Sequence, residues 1–264
     1  MQSLDKILER IQAKITAKSL QINQENVTSE EKGIYQNSIT KSNHLARSYY
    51  RFTLTEKRVS EALISLLNPK RNADQSVELN ATDYAKAFGV NRKHAYSDMN
   101  KAVSSLMSKV ISIKTPEGRE EYALMAKAQY IDNEGKIICT FNPLVTPHLV
   151  GLRARFTKYP MKMIADFAST YTWRIYELLM SWAKDLKITD GIVAGWFKLS
   201  VEEMRSSLGI PNGYRWADIN TRVLKRAKNE IYEKCKIVIE YEFIKTGKKV
   251  TSVKFNFAET KSPN

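Results

Sequence analysis

The sequence lacks the residue patterns on which most metal sites, disulfide frameworks and hydrolytic active sites depend. It has two cysteines, Cys139 and Cys235, which give neither a disulfide framework nor a CxxC metal-binding spacing. Its three histidines are widely separated and form no HxH or HExxH motif. There is no P-loop and no GxSxG nucleophile motif. We therefore predict no metal, no other cofactor and no catalytic activity.

Long apolar runs are also absent. No stretch of about 18 apolar residues is available to cross a membrane. The N-terminus lacks an apolar core followed by a small-residue cleavage site, which a secretion signal would need. We therefore expect a cytoplasmic protein without a membrane partner, in which both cysteines are buried and reduced.

Positive charge is what the sequence has in excess. Lys and Arg number 42 against 28 Asp and Glu, which gives a formal net charge of +14. The chain of 264 residues, 43% of them hydrophobic, is long enough for one large domain or two ordinary ones. A basic excess favours a polyanionic partner, with nucleic acid first and an anionic membrane second. A basic surface without an anionic partner is the alternative.

The first 43 residues predict a helix followed by a polar tether. Leu4, Leu8, Ile11 and Ile15 form one apolar stripe within residues 3–18, which is typical of an amphipathic helix. Either a short zipper or packing on the rest of the protein would cover that stripe. Residues 19–43 are rich in Ser, Thr, Asn, Gln and Glu, as in a flexible tether. We assign residues 1–40 to this helix and tether.

Two later regions share one order of predicted elements: long helix, strand, short helix, turn, long helix and hairpin. In the first, Thr53 and Glu56 form a capping box, and Gly89 suits the turn between the two later helices. In the second, Ser200 and Glu203 form the capping box, and Gly209 the turn. The predicted bounds are helices 82–88 and 92–109 with strands 110–113, 121–131 and 136–141, then helix 162–184, strand 196–199 and a basic helix reaching about Lys234. The predicted fold class is α+β, with two tandem winged helix-turn-helix domains, residues 41–153 and 154–264, related by a pseudo-two-fold internal repeat.

The second basic helix is the main candidate for reading a DNA major groove. Ile219, Val223, Ala227 and Ile231 recur every four residues and predict a face anchored in a core. The opposite face carries donors suited to base edges, namely Thr221, Arg222, Lys225 and Lys228, and Asn220 lies on its flank. Groove contact usually comes from the N-terminal part of such a helix, so the predicted base readers are Asn220, Thr221, Arg222 and Lys225. Tyr214 and Arg215 precede the helix and are placed for phosphate contacts, and Lys245, Lys248 and Lys249 occupy the hairpin tip. A solvated charged face is the alternative.

The first basic helix offers a less basic face. Its candidate DNA contacts are Lys93, His94, Ser97, Asn100 and Lys101, and the connector between the two regions adds Arg153 and Arg155. We expect the first helix to contribute less to base recognition than the second.

The chain resembles the iteron-binding plasmid replication initiators, the Rep proteins with tandem winged helices, over residues 42–257. The resemblance rests on the order and spacing of short motifs, which are Ser42-Asn43-His44-Leu45-Ala46, Leu54-Thr55-Glu56-Lys57-Arg58, Tyr84-Ala85-Lys86-Ala87-Phe88-Gly89-Val90, Phe156-Thr157-Lys158-Tyr159, Trp173-Arg174-Ile175-Tyr176-Glu177-Leu178-Leu179 and Arg222-Val223-Leu224-Lys225. Two arginines of the family near the last motif are replaced here by Asn220 and Thr221, which suggests a different repeat sequence.

The resemblance implies a function that composition alone does not. Such proteins bind direct repeats in the double-stranded DNA of a plasmid origin as monomers, help to open the duplex, and recruit the host replication initiator and replicative helicase in the bacterial cytoplasm. Many also repress their own gene as homodimers that form through the first winged helix. The C-terminal helix is the stronger base reader in the family, which corresponds to Asn220, Thr221 and Arg222.

Two other functions are compatible with the same residues. A winged-helix transcriptional regulator without a replication role would need the same groove-reading surface. A structural adaptor whose winged helices bind protein would not need the net charge of +14. Steep salt dependence of duplex binding would separate the adaptor from the other two.

Overall fold

The computed structural model describes residues 33–70, 75–183 and 193–260. The predicted N-terminal amphipathic helix lies outside these residues. The α-helices are α1 (Asn43–Ala46), α2 (Leu54–Ser65), α3 (Ala81–Phe88), α4 (Arg92–Leu106), α5 (Thr170–Trp182), α6 (Val201–Leu208), α7 (Trp216–Asp218) and α8 (Arg226–Cys235), and a π-helical segment (Ile219–Lys225) joins α7 to α8. The strands are β1 (Ser38–Ser42), β2 (Ser76–Asn80), β3 (Val110–Thr115), β4 (Gly118–Ala123), β5 (Met125–Ile131), β6 (Lys136–Phe141), β7 (Phe156–Pro160), β8 (Ala194–Ser200), β9 (Ile237–Thr246) and β10 (Lys249–Glu259).

The elements from α2 to β6, here called the first unit, have the predicted order. The capping box forms, because the Thr53 hydroxyl accepts from the Glu56 N–H at 3.2 Å and the Glu56 carboxylate accepts from the Thr53 N–H at 2.7 Å. Gly89 ends α3 with a φ of 61°, in the left-handed region that favours glycine. Strand β6 lies between β2 and β5 in an antiparallel sheet.

The single strand predicted for residues 121–131 is wrong, because the structure has two strands there. β4 pairs with β3, whereas β5 pairs with β6. The break falls at Leu124, which is 2% exposed and whose backbone bonds to Lys109 and Asn142 instead of to a ladder. Burying this side chain between the two hairpins turns the chain from one to the other.

The elements from α5 to β10, here called the second unit, repeat that order, but the first helix is shorter than predicted. α5 begins at Thr170, after the N-cap Ser169, and not near Lys162. The residues before it contain β7 and the 3₁₀ turn Met161–Met163, whose apolar side chains fill the core without forming an α-helix. In the rest of the unit, β8, β10 and β9 form an antiparallel sheet in that order.

Strand β1 contradicts the predicted tether. Residues 38–42 pair antiparallel with β7, and Ile39 is fully buried. The N–H of Met161 extends this attachment by donating to the carbonyl of Asn37 at 2.9 Å. The tether prediction is therefore wrong from residue 34 onward, since polar composition does not exclude a strand that a distant partner covers. The β1–β7 pair also joins residues from both sides of the domain boundary predicted between residues 153 and 154. That boundary stays a proposal.

A buried ionic cluster joins β1, α2 and α5. Glu61 accepts from the ammonium of Lys41 at 2.5 Å and from that of Lys57 at 2.6 Å. Glu177 contacts Lys41 and Arg174, and lies 3.1 Å from Lys57. Burial by itself would raise the pKa of Glu177, but the three cations outweigh it and hold this pKa well below its usual range.

Candidate nucleic-acid interface

The turn of the second unit is held by its own side chains. α6 ends at Gly209, whose φ is 64°. Arg205 of α6 reaches across the turn and donates to the carbonyl of Pro211 at 3.0 Å and to that of Tyr214 at 2.5 Å. These bonds fix the loop that carries Tyr214 and Arg215 to the start of α7.

The long helix of the second unit is anchored as predicted. Its anchoring side chains are each at most 1% exposed, namely Ile219, Val223, Ala227 and Ile231. Thr221, Arg222 and Lys225 lie exposed on the other side. Asn220 differs from these three, because it is half-buried and its Oδ1 has no hydrogen-bond partner among the described residues. The structure thus brings the four predicted base readers together on one two-turn stretch.

That stretch is π-helical, which was not predicted from the sequence. The segment Ile219–Lys225 carries all four predicted readers, and Leu224 is buried beside Val223 because the wider helix brings an extra residue onto the core face. A signal was available in the spacing of the anchoring residues. On an ideal α-helix a strict four-residue spacing drifts by about 40° at each step, and a wider helix reduces that drift. π-helical turns occur frequently at functional sites.

Arg222 is an exposed cation of this stretch and is already oriented. Its side chain is 65% exposed and its Nε lies 3.4 Å from the carboxylate of Asp218. Its guanidinium also lies 5.7 Å from the ring centre of Tyr214. Asp218 in turn accepts from the N–H of Arg215 at 3.1 Å. These contacts hold the guanidinium near the N-terminal end of the helix without removing it from solvent.

The hairpin of the second unit presents its lysines at a tight turn. Lys245, Lys248 and Lys249 are exposed around Gly247, whose φ is 60°. The hairpin packs on the helix through Trp216, whose ring meets that of Phe243 edge-on at 5.0 Å.

Lys228, a predicted DNA contact of the same helix, is less accessible than Thr221, Arg222 and Lys225. Lys228 is half-buried, and its ammonium lies 5.6 Å from the ring centre of Tyr241 in β9. Lys228 is therefore less exposed than predicted, since the helix directs this side chain against the hairpin.

The first unit presents the face that was predicted on α4. On α4 the exposed side chains are Lys93, His94, Ser97 and Lys101, and Asn100 is half-buried with its Oδ1 unpaired among the described residues. The opposite side is buried as predicted, with Ala95, Met99, Ala102, Val103 and Leu106 at most 4% exposed. Tyr96 ties α4 to the hairpin by donating to Asp132 at 2.7 Å.

In the part of the chain that the structure describes, no group of three or more His, Cys, Asp or Glu side chains is arranged to hold a metal ion. Over the same residues no helix is both long and apolar enough to cross a membrane. Cys139 and Cys235 are buried as predicted, and burial raises the pKa of each thiol to about 12.

Comparison with protein families identifies the two units. The family described as "Initiator Replication protein, WH1" matches residues 38–180, and "Initiator Rep protein, WH2" matches residues 200–257. The first match covers more than half of the 264-residue chain. The chain belongs to the initiator Rep protein family. Its fold is therefore two winged helices in tandem, as predicted. We call residues 38–180 WH1, which also takes in α5 of the second unit as far as Met180, and residues 200–257 WH2.

Similar proteins are known from sequence and from structure. A "Replication initiation protein" of Escherichia coli is 26% identical over 211 residues, which cover 76% of this chain and 65% of that protein. The chain thus spans somewhat less than two thirds of that relative. The crystal structure of the Pi initiator protein in complex with iteron DNA has a TM-score of 0.67 at 20% identity, covering 86% of this chain and 99% of that one. At this identity the likeness concerns the fold.

Arg153 and Arg155 lie apart from both helices that are predicted to read DNA. Arg155 is exposed, has a φ of 52° and lines a cleft of about 680 Å³ between WH1 and WH2. Arg47, Lys114 and Lys198 line the same cleft. These last three basic residues were not predicted from the sequence, because nothing local to them indicates that WH1 and WH2 meet there.

Proposed function

We propose that this protein initiates plasmid replication by binding direct repeats in the double-stranded DNA of the plasmid origin. The observation that carries the proposal is the exposed face of Thr221, Arg222 and Lys225 on a helix whose other face is buried in WH2. Family membership and the net charge of +14 support it. The names of the relatives point the same way, since one is a replication initiation protein and the other is a Pi initiator protein bound to iteron DNA.

Each part of WH2 has a role in this proposal. Arg222 is suited to bidentate contact with guanine, Asn220 to adenine, and Thr221 to a thymine methyl group. Lys225 reaches a base or an adjacent phosphate. Tyr214, Arg215 and the three hairpin lysines Lys245, Lys248 and Lys249 contact phosphates, which adds affinity without sequence choice.

WH1 supplies the second contact with the duplex. Its helix α4 enters the neighbouring major groove through Lys93, His94, Ser97, Asn100 and Lys101. Grooves on one face of DNA are roughly 34 Å apart, so one protein molecule covers about 20 base pairs of a non-palindromic site. A footprint of half that length on a single repeat would contradict the use of both helices.

The remaining steps follow from the family. We propose that the DNA-binding monomer is in equilibrium with a homodimer that represses the protein's own gene. We also propose that the bound protein helps to open the origin and recruits the host replication initiator and replicative helicase in the bacterial cytoplasm. It acts as a binding protein without a cofactor, and not as an enzyme.

Transformation tests the proposal directly. A fragment carrying this gene and its flanking DNA is expected to replicate autonomously in a bacterial host, and a frameshift early in the gene should abolish replication. Supplying the intact protein from a second replicon should restore it. Repression of the gene without autonomous replication would instead identify a transcriptional regulator.

A further inference from the structure

One contact between the two reading units runs through a short piece of backbone, Ala46–Arg51, here called the bridging segment. On one side, Tyr49 forms an antiparallel bridge with Ser112 of β3, with N–H to carbonyl distances of 2.7 and 2.9 Å. On the other side lies the turn of the second unit. A Cβ on Gly209 would stand 3.3 Å from both the Tyr50 carbonyl oxygen and Cγ of Arg51. The bridging segment thus lies between the first unit's sheet and the second unit's turn.

Arg174 of α5 forms hydrogen bonds with both the bridging segment and α6. Its Nη1 donates to the carbonyl of Ala46 at 3.1 Å, and its Nη2 to that of Ser48 at 2.7 Å. Its Nε donates to the carbonyl of Ser207 at 3.1 Å. Ala46 and Ser207 lie in the last turns of α1 and α6, where helix carbonyls have no partner within the helix. One guanidinium therefore caps the C-terminal ends of two helices, α1 beside the bridging segment and α6 of the second unit.

The chemistry of the site requires a guanidinium. Its five donors lie in one plane in a fixed fork, so three carbonyls can be held at fixed relative positions. An ammonium at the same place is a point charge on a flexible stem, with no such plane. Glu177 balances the charge, and the Arg174 side chain is 3% exposed. Water therefore does not replace the bonds that a shorter or differently shaped donor fails to make.

We propose that Arg174 is a positioning residue that sets the number of base pairs between the two reading helices. Building on the proposed function, it makes no DNA contact and acts by fixing α6, and with it the reading helix of WH2, relative to WH1. Two rigidly joined binding modules gain affinity only when the spacing of their sites matches, whereas a looser joint lowers the best affinity and widens the accepted spacing. Each added base pair shifts the second groove by about 3.4 Å and turns it by roughly 35°.

Selection from a random duplex library tests this with the full-length protein. Wild-type protein is expected to enrich two sequence blocks at one fixed separation. Arg174→Lys should enrich the same two blocks at several separations. On defined duplexes it should bind the preferred spacing about tenfold more weakly, while binding to a duplex with one inserted base pair changes by less than about threefold. The spacing preference, and not the overall affinity, is the decisive readout.

Arg205→Lys is the matched control. Arg205 also holds two backbone carbonyls, but both belong to the second unit, so this variant should keep the single separation whatever its affinity. Because Arg174→Lys also destabilises the protein, the double variant Arg174→Met with Glu177→Met is tested beside it. That variant removes one charge of each sign and so keeps the net charge of the ionic cluster, and it should show the same broadened spacing.

The outcomes are distinguishable. A single unchanged separation with Arg174→Lys, or with the double variant where Arg174→Lys does not fold, overturns the role of Arg174 and leaves the proposed function intact. Enrichment of no sequence by wild-type protein would instead overturn sequence-specific binding itself. Equal broadening with Arg205→Lys would show that any reduction in affinity widens the spacing, which also overturns the inference.

Discussion

The two helices that we propose to read DNA belong to units of one topology but differ in build. α4 is a regular α-helix of 15 residues, and the helix of WH2 is π-helical over the 7 residues that carry its proposed base readers. The hairpin of WH2 is also longer, with strands of 10 and 11 residues against 7 and 6 in WH1. The difference teaches that a repeated fold does not imply a repeated surface, because WH2 presents Thr221, Arg222 and Lys225 on a π-helix, whereas α4 presents Lys93, His94, Ser97 and Lys101 on an α-helix.

The largest expected effect is a loss of stability, and it tests whether the two units unfold independently. Glu177→Gln leaves Lys41, Lys57 and Arg174 with one fewer buried anion, which we expect to cost about 3–5 kcal/mol of the free energy of unfolding. Because these cations join β1 and α2 to α5, which packs against α6, α8 and β8 of the second unit, both units should lose stability in a single transition. Urea unfolding followed by circular dichroism measures this. Two transitions, of which only one is shifted, would mean that WH1 and WH2 fold separately.

The same carboxylate predicts a dependence on pH. The pKa of Glu177 in the folded protein lies below its ordinary value of 4.5, so its stabilising contribution is present above that pH. The contribution is lost as the pH falls through the depressed pKa. The stability gap between wild type and Glu177→Gln should therefore be constant near neutrality and shrink only below about pH 4.5. A gap that already shrinks between pH 7 and 5 would contradict the depressed pKa.

The next effect separates the two reading helices. Arg222→Ala should cost about 1–3 kcal/mol on the cognate repeat and relax the preference at one base position. The matching change in WH1, Lys101→Ala, should weaken cognate and random duplexes to a similar and smaller extent. Fluorescence anisotropy of both variants and the wild type with both duplexes gives the dissociation constants needed. Equal weakening of both duplexes by Arg222→Ala would reduce Arg222 to a phosphate contact.

The smallest effect concerns the hairpin of WH2. Replacing Lys248 and Lys249 by Ala should weaken binding to all duplexes alike, and should lower the slope of log affinity against log salt by about 0.9 for each phosphate that is no longer neutralised. Titrations between low and moderate salt measure that slope. Replacing Lys228, which lies against Tyr241, is the comparison, and it should leave the slope unchanged. A changed slope for Lys228 alone would reverse these roles.

Local signals in the sequence were sufficient for much of the fold. The capping boxes at Thr53 and Ser200, the left-handed turns at Gly89 and Gly209 and the anchoring faces of both reading helices depend on neighbours a few residues away. Such features can be read in one window of sequence. The predicted WH2 readers were found together for the same reason.

Features that depend on distant partners could not be read in this way. Lys41, Lys57 and Glu177 each look like ordinary surface charges until β1, α2 and α5 bring them together. Arg174 belongs to a helix that looks wholly structural, and its carbonyl partners lie more than 30 residues away in either direction along the chain.

The pairing of β1 with β7 has a consequence for how the protein folds during translation. Residues 38–42 leave the exit tunnel before their partner strand, which is made more than 110 residues later, and before Glu177, which is made later still. Until then Lys41 lacks one of its two buried anions, and WH1 lacks one of its edges. Translation at about 5–20 residues per second makes this a wait of several seconds or more. We expect a chaperone to act on β1 of the nascent chain while this strand has no partner.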